Sequence, residues 1–203
     1  MAGIEFSHDE LDAKWADALT PAEVADRLAG VATPWYVAAG WSIELFTGRL
    51  RRHDDLEIAV PAAGFAELRE RFAGCALDAP IDGRVFPDAT EDELARTHQT
   101  WVRDPETGHY LVDIFREPHD ADTWICRRDE RIRRPYADII RHTPDGVPYL
   151  AAEVALLFKA KATRPKDDDD FAAALPLLTA KQRETLAGWL DLVHPGHPWR
   201  AQL

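Results

Sequence analysis

Residues 35–60 constrain the fold more than any other stretch of the chain. "PWYVAAG" reads as a short strand that ends in small residues, and "WSIELFTGRL" reads as a helix with Ile43, Leu45 and Phe46 apolar and Gly48 near its end. "DDLEIAV" then alternates with a period of two, which puts Leu56, Ile58 and Val60 on one face and Asp55, Glu57 and Ala59 on the other. A strand, a glycine, a helix and a second strand outline a phosphate-gripping unit, because the amides at a helix start favour anions. Side chains two apart on a strand project side by side. Asp55 and Glu57 therefore carry two readings: a solvated strand face, the norm for exposed acids, or a pair that reaches divalent ions about 3.5–4 Å apart.

Elsewhere the punctuation is clear. "TPAEVADRLAG" predicts a helix with Thr20 as cap, Pro21 in the first turn, Glu23 completing a capping box and Gly30 as terminator. "AGFAELRERFAG" predicts another, stopped by Gly74, and "GHYLVDIFRE" predicts a strand with Leu111, Asp113 and Phe115 on one face. A carboxylate inside so apolar a strand stands out. Between "TWICRRDERIRRPYADII" and "TPDGVPYL" we expect one or two strands and a turn at Pro144-Asp145-Gly146. From about residue 151 the pattern is helical throughout: "AAEVALLFKAKATR", then "DDDDFAAALPLL" with its acids at the positive helix end, then "TAKQRETLAGWLDLV" with Thr179 and Gln182 as a capping box. The order of elements predicts an α+β domain over residues 1–150 and a small helical domain over 151–203.

Composition narrows the classes of partner. With 36 Asp and Glu against 24 Lys and Arg, the net charge of −12 repels a phosphate backbone, so a long nucleic acid is excluded as the expected partner. Such a field attracts a cationic small molecule, although it also serves solubility alone. Cys75 and Cys126 lack metal-knuckle spacing, and no window approaches the eighteen apolar residues of a membrane span. A soluble, cytoplasmic protein with no membrane partner is the expectation; its oligomeric state is not encoded legibly.

Taken together, Gly40-Trp41, the "GRLRRHDDLE" run, the "VDIF" strand and "YLAAEVALLFKAKATRPKDDDDF" resemble the nucleotidyltransferase superfamily, and within it the aminoglycoside 2''-adenylyltransferase-like group. That group reads roughly GGWAxD, GRxxRxHxDxD, a later strand Asp, and APExxLLxKAKxxRxKDxxDF, and the match runs from about residue 35 to 178. The resemblance implies a nucleotidyltransferase-fold mixed β-sheet flanked by helices, like the palm of polymerase beta, with a helical carboxy-terminal domain. It implies transfer of a nucleoside monophosphate from ATP or another nucleoside triphosphate, with two Mg²⁺ ions, to a hydroxyl of a small-molecule acceptor. Asp55, Glu57 and Asp113 would be the metal-binding and catalytic carboxylates. Gly40, Trp41, Ser42, Arg52, His53, Lys159 and Lys161 would face the nucleotide, with Arg49 and Lys166 beside them. The chain departs from the pattern at Ala39 (Gly), Glu44 (Asp), Glu57 (Asp) and Ala152 (Pro).

Plainer readings stand beside these. Asp113 suits an ion pair with an arginine such as Arg116; Arg49, Arg52 and His53 suit surface pairs with Asp54; Lys161 lies with Val154, Leu157 and Phe158 at helical spacing, which covers its stem whatever its head does. "KDDDDF" reads as a solvated helix start and His194 with His197 as too few ligands for zinc. A catalytically decayed nucleotide-binding or regulatory protein on the same fold is the second hypothesis, and Glu57 is its sign.

Overall fold

The computed structural model describes residues 3–203. Its chain divides into two compact units, one formed by the stretch up to Tyr36 with His53–Pro118, the other by Val37–Arg52 with His119–Leu203. This differs from the single boundary at residue 150 expected from the sequence. The physical reason is visible in helix Ala39–Thr47, which packs on the carboxy-terminal helices that begin at Ala152 and Pro165.

The first unit begins with two short helices, α1 (His8–Lys14) and α2 (Pro21–Arg27), each started by a complete capping box, Ser7 with Glu10 and Thr20 with Glu23. The two-residue strand β1 (Tyr36–Val37) ends its first stretch, and α3 (Ala39–Thr47) belongs to the second unit. After the return to this unit come β2 (Glu57–Pro61), α4 (Phe65–Arg71), β3 (Ala76–Ile81), β4 (Arg84–Phe86), α5 (Glu91–Ala95), β5 (Gln99–Arg103) and β6 (Tyr110–Glu117). The sheet is mixed: β2 and β6 are parallel, whereas β6 with β5, β5 with β3, and β3 with β4 are antiparallel. Ile58, Ala59 and Val60 are all fully buried, so both faces of β2 are covered past Glu57, as expected of a strand with a parallel neighbour. The strict alternation read from the sequence holds only at its acidic start.

Sequence reading left β3 to β5 unassigned, although one signal was there. Asp82 and Gly83 form a two-residue loop with φ of 50° and 78°, the left-handed pair that a tight hairpin requires. Trp15, Tyr110 and Trp101 close that end of the sheet, the two tryptophans meeting edge to face at 5.4 Å.

The second unit holds β1's pairing with β11 and most of the helices. A small antiparallel sheet of β7 (His119–Asp120), β8 (Thr123–Ile125) and β9 (Arg133–Pro135) is followed by a single helical turn, α6 (Tyr136–Ile139), and by the hairpin β10 (Ile140–His142) and β11 (Pro148–Leu150). This is more strand than the one or two expected, because two- and three-residue strands are too short to show a period. The turn at Thr143–Val147 carries Gly146 at φ 87°, as its sequence predicts. Helices α7 (Ala152–Lys159), α8 (Pro165–Ala174) and α9 (Ala180–Val193) complete the unit. Helix α7 is buried from Ala152 to Leu157, the signature of a helix enclosed by others. Gln182 serves twice: its Oε1 completes the α9 capping box while its Nε2 donates to the buried Glu153 carboxylate at 2.8 Å. Among the described residues no helix is long and apolar enough to cross a membrane.

Candidate functional site

The acidic part of the site is built by strand register. In the parallel pairing of β2 with β6, Glu57 is the partner of Asp113, followed by Ile58 with Ile114 and Ala59 with Phe115. Partner residues of adjacent strands send their side chains to the same face, so these two carboxylates are neighbours across the sheet. The Asp113 amide donates to the Leu56 carbonyl at 2.8 Å, which fixes the start of the ladder just where the acids lie. Asp113 is only 3% exposed, and its Oδ2 accepts from the Gln99 side-chain amide at 2.6 Å. Gln99 reaches it diagonally from β5, whose Trp101 is the direct partner of Asp113. Asp55 lies two residues ahead of β2 and is half-buried, as is Glu57. Sequence reading missed Gln99, because nothing in the chain order reveals a strand neighbour fourteen residues away.

Hard carboxylate oxygens on two neighbouring strands are the donor chemistry a divalent cation such as Mg²⁺ takes, and the shared level of Glu57 and Asp113 fits one. Among the described residues, no group of three or more His, Cys, Asp or Glu side chains is gathered closely enough to hold an ion. The pair is therefore formed, while a three-carboxylate cluster including Asp55 is not drawn together.

The turn at Gly40 belongs to the second unit. Ala39, where the resembled pattern has glycine, adopts φ 48°, a left-handed conformation that strains an alanine. Gly40 and Ser42 are buried and Trp41 is half-buried. Ser42, expected to offer its hydroxyl to a phosphate, donates it to the Ala39 carbonyl at 2.8 Å and so braces the strained turn. At the other end of α3, Gly48 terminates the helix at φ 70°, its N–H donating to the Glu44 carbonyl. Beyond it Arg49 and Arg52 are exposed, while His53, in the first unit, is half-buried.

The lysines separate. The Lys159 side chain is 7% exposed, its Nζ 2.9 Å from Asp167 Oδ1 and 2.9 Å from Asp170 Oδ2, so its charge is answered within the fold. Lys161 and Lys166 are exposed. "KDDDDF" does begin a helix, yet it is not simply solvated: Asp167 and Asp170, three apart on α8, face inward at 1% and 5% exposure, while Asp168 and Asp169 face outward. Burial alone would raise the Asp167 carboxyl, but hydrogen bonds from Arg164 and Lys159 outweigh it and hold the group well below the usual carboxylate range. Asp168 accepts from the Trp199 indole at 2.7 Å.

No protein-family model matches the chain. No curated protein matches it in sequence. Its fold is shared with solved antibiotic nucleotidyltransferases. It is similar to the lincosamide antibiotic adenylyltransferase LnuA in its lincomycin-bound form, with a TM-score of 0.52 and 15% identity over 85% of this chain and 97% of that one. It is similar to the antibiotic-resistance factor ANT(2'')-Ia in solution, with a TM-score of 0.51 and 14% identity over 81% and 85%. It is also similar to ANT(2'')-Ia in complex with adenylyl-2''-tobramycin, with a TM-score of 0.51 and 15% identity over 85% and 94%. At these identities the likeness is one of fold.

Proposed function

We propose that the protein transfers a nucleoside monophosphate, most simply AMP from ATP, to a hydroxyl of a small molecule. A bond forms between the acceptor oxygen and the α-phosphorus, the bond from that phosphorus to the bridging oxygen breaks, and pyrophosphate leaves. The observation that carries the reading is the register that sets Glu57 beside Asp113. The fold likeness supports it, since LnuA is solved with lincomycin and ANT(2'')-Ia with an adenylylated tobramycin.

Glu57 and Asp113, with Asp55 just ahead of β2, would hold Mg²⁺, which when bound would neutralise charge on the triphosphate and make the acceptor hydroxyl more acidic. Asp113, buried and oriented by Gln99, accepts the hydroxyl proton as it is lost. In the second unit the α3 amino terminus at Gly40 and the side chains of Arg49 and Arg52 offer positive charge to phosphates; Ser42 acts by bracing the turn, and Lys159 by the ion pairs it makes within that unit. Trp41 offers an aromatic face to the base or sugar. The net charge of −12 favours a cationic acceptor.

A second reading, a decayed nucleotide-binding or regulatory protein, draws on Glu57 in the place of an aspartate and on the absence of a gathered three-acid cluster among the described residues. One experiment separates the two. Incubate the protein with Mg²⁺, each nucleoside triphosphate and a panel of aminoglycosides, lincosamides and simple polyols, then seek a nucleotide adduct by mass spectrometry. Adduct with pyrophosphate release is the expected result; nucleotide binding with no adduct and no pyrophosphate would favour the decayed form.

A further inference from the structure

Five charges of the second unit alternate along one chain whose middle is buried: Arg164, Asp167, Lys159, Asp170, Arg51. Arg164 Nε lies 2.9 Å from Asp167 Oδ2, Lys159 bridges Asp167 and Asp170 at 2.9 Å each, and Asp170 Oδ1 lies 3.2 Å from Arg51 Nε. The side chains of Lys159, Asp167 and Asp170 are 7%, 2% and 7% exposed. The three central charges are thus withdrawn from water, and each is answered by its neighbours.

The last link leaves the helices. Arg51 is held at its backbone as well as at its head: its N–H donates to Glu44 Oε2 at 3.0 Å, and its Nη1 donates to the Arg52 carbonyl at 2.9 Å. Arg49 Nη1 donates to the Asp169 carbonyl at 3.3 Å. The residues between Gly48 and Arg52 are therefore tied to α3 on one side and to α8 on the other. Leu50, in their middle, is 84% exposed, so apolar burial does not hold this segment. The polar ties of Arg49 and Arg51 do, and the run leads along the chain into Asp55 and Glu57.

We infer that this alternating chain of charges is a clasp that sets the conformation of residues 48–52, and that Arg51 and Lys159 are positioning residues whose effect reaches the nucleotide through Arg49 and Arg52. The inference rests on the nucleotidyl-transfer reading for its purpose, and on the ion pairs alone for its structure. It also accounts for Lys159: between two carboxylates its ammonium is an internal rivet.

Hydrogen exchange on the full chain, read by mass spectrometry, tests the clasp without any activity. In Arg51→Ala the amides of 48–52 exchange at least tenfold faster than in the native protein, while those of α9 are unchanged; Arg51→Lys, which keeps the charge but not the forked reach, falls between. Transfer assays then show KM for the triphosphate raised at least tenfold in Arg51→Ala with kcat within threefold, and partial rescue in Arg51→Lys. Unchanged exchange over 48–52, or equal acceleration in α9, overturns the clasp. A loosened loop with KM unaltered overturns the positioning role. Native protein that transfers nothing would sink the proposed activity instead, and the exchange result would still decide the clasp.

Discussion

The acids of β2 and β6 and the acids of α8 differ in a way that raw sequence conceals. Four consecutive aspartates, 167 to 170, are the densest negative charge in the chain, yet helical spacing turns two of them inward onto Lys159, Arg51 and Arg164. Glu57 and Asp113 are 56 residues apart in sequence and become neighbours only through a parallel register. Acid count is thus a poor guide to a cation site. What decides is the geometry that sets each carboxylate beside a cation or beside another carboxylate, because like charges side by side favour a cation between them whereas alternating charges satisfy themselves.

The sharpest way to break this contrast is to neutralise one acid from each region. Asp113→Asn is expected to lower transfer by about a thousandfold, the scale of losing a group aimed at transition-state charge, with little change in melting temperature. Asp170→Asn is expected to cost about 3 kcal/mol of stability, because it leaves Lys159 and Arg51 short of a carboxylate, and so to lower Tm by roughly 6–12 °C for a chain of this size. Calorimetry alongside the assay reads both; a large Tm loss in Asp113→Asn with none in Asp170→Asn would invert the two roles.

A smaller effect sharpens the comparison at the turn. Ala39 holds φ 48°, so Ala39→Gly relieves left-handed strain of about 1–2 kcal/mol against a glycine entropy cost of roughly 0.5–1 kcal/mol. A gain of about 0.5–1 kcal/mol in denaturant unfolding is expected; a loss would mean the strain is illusory.

The smallest effect is a pH dependence in the second unit. Burial pushes His194 and His197 below the ordinary 6.5, ahead of the opposing contributions of the Leu157 backbone and of Asp168. The native state therefore prefers the neutral rings, and the unfolded chain takes up protons first as pH falls. Stability is full above pH 6.5 and declines as pH drops through the native values, and thermal melts between pH 7.5 and 5 should show less decline in His194→Gln. An identical decline in that variant would remove His194 from the titration.

Much of this was legible where the signal is local. Thr20 with Glu23 and Thr179 with Gln182 announced their helices, and Gly48 and Gly146 sit at the positive φ their positions require. The boxes Ser7 with Glu10 and Thr90 with Glu93 carried the same signal and marked α1 and α5, which were not read. Asp113 was legible as an acid out of place in an apolar strand. Its partnership with Glu57, its support by Gln99 and the burial of Asp167 and Asp170 were not, since each depends on which elements meet rather than on any period within one.

The central claim is that the Glu57 and Asp113 pair, and not the aspartates of α8, forms the cation and nucleotide site. Isothermal titration of ATP with Mg²⁺ into native protein, Asp113→Asn and Asp170→Asn, at a temperature where all three are folded, tests it most directly. Magnesium-dependent binding that is lost in Asp113→Asn but persists in Asp170→Asn, there weakened by the loosened clasp yet still dependent on magnesium, is the predicted result. Undiminished magnesium-dependent binding in Asp113→Asn would contradict it.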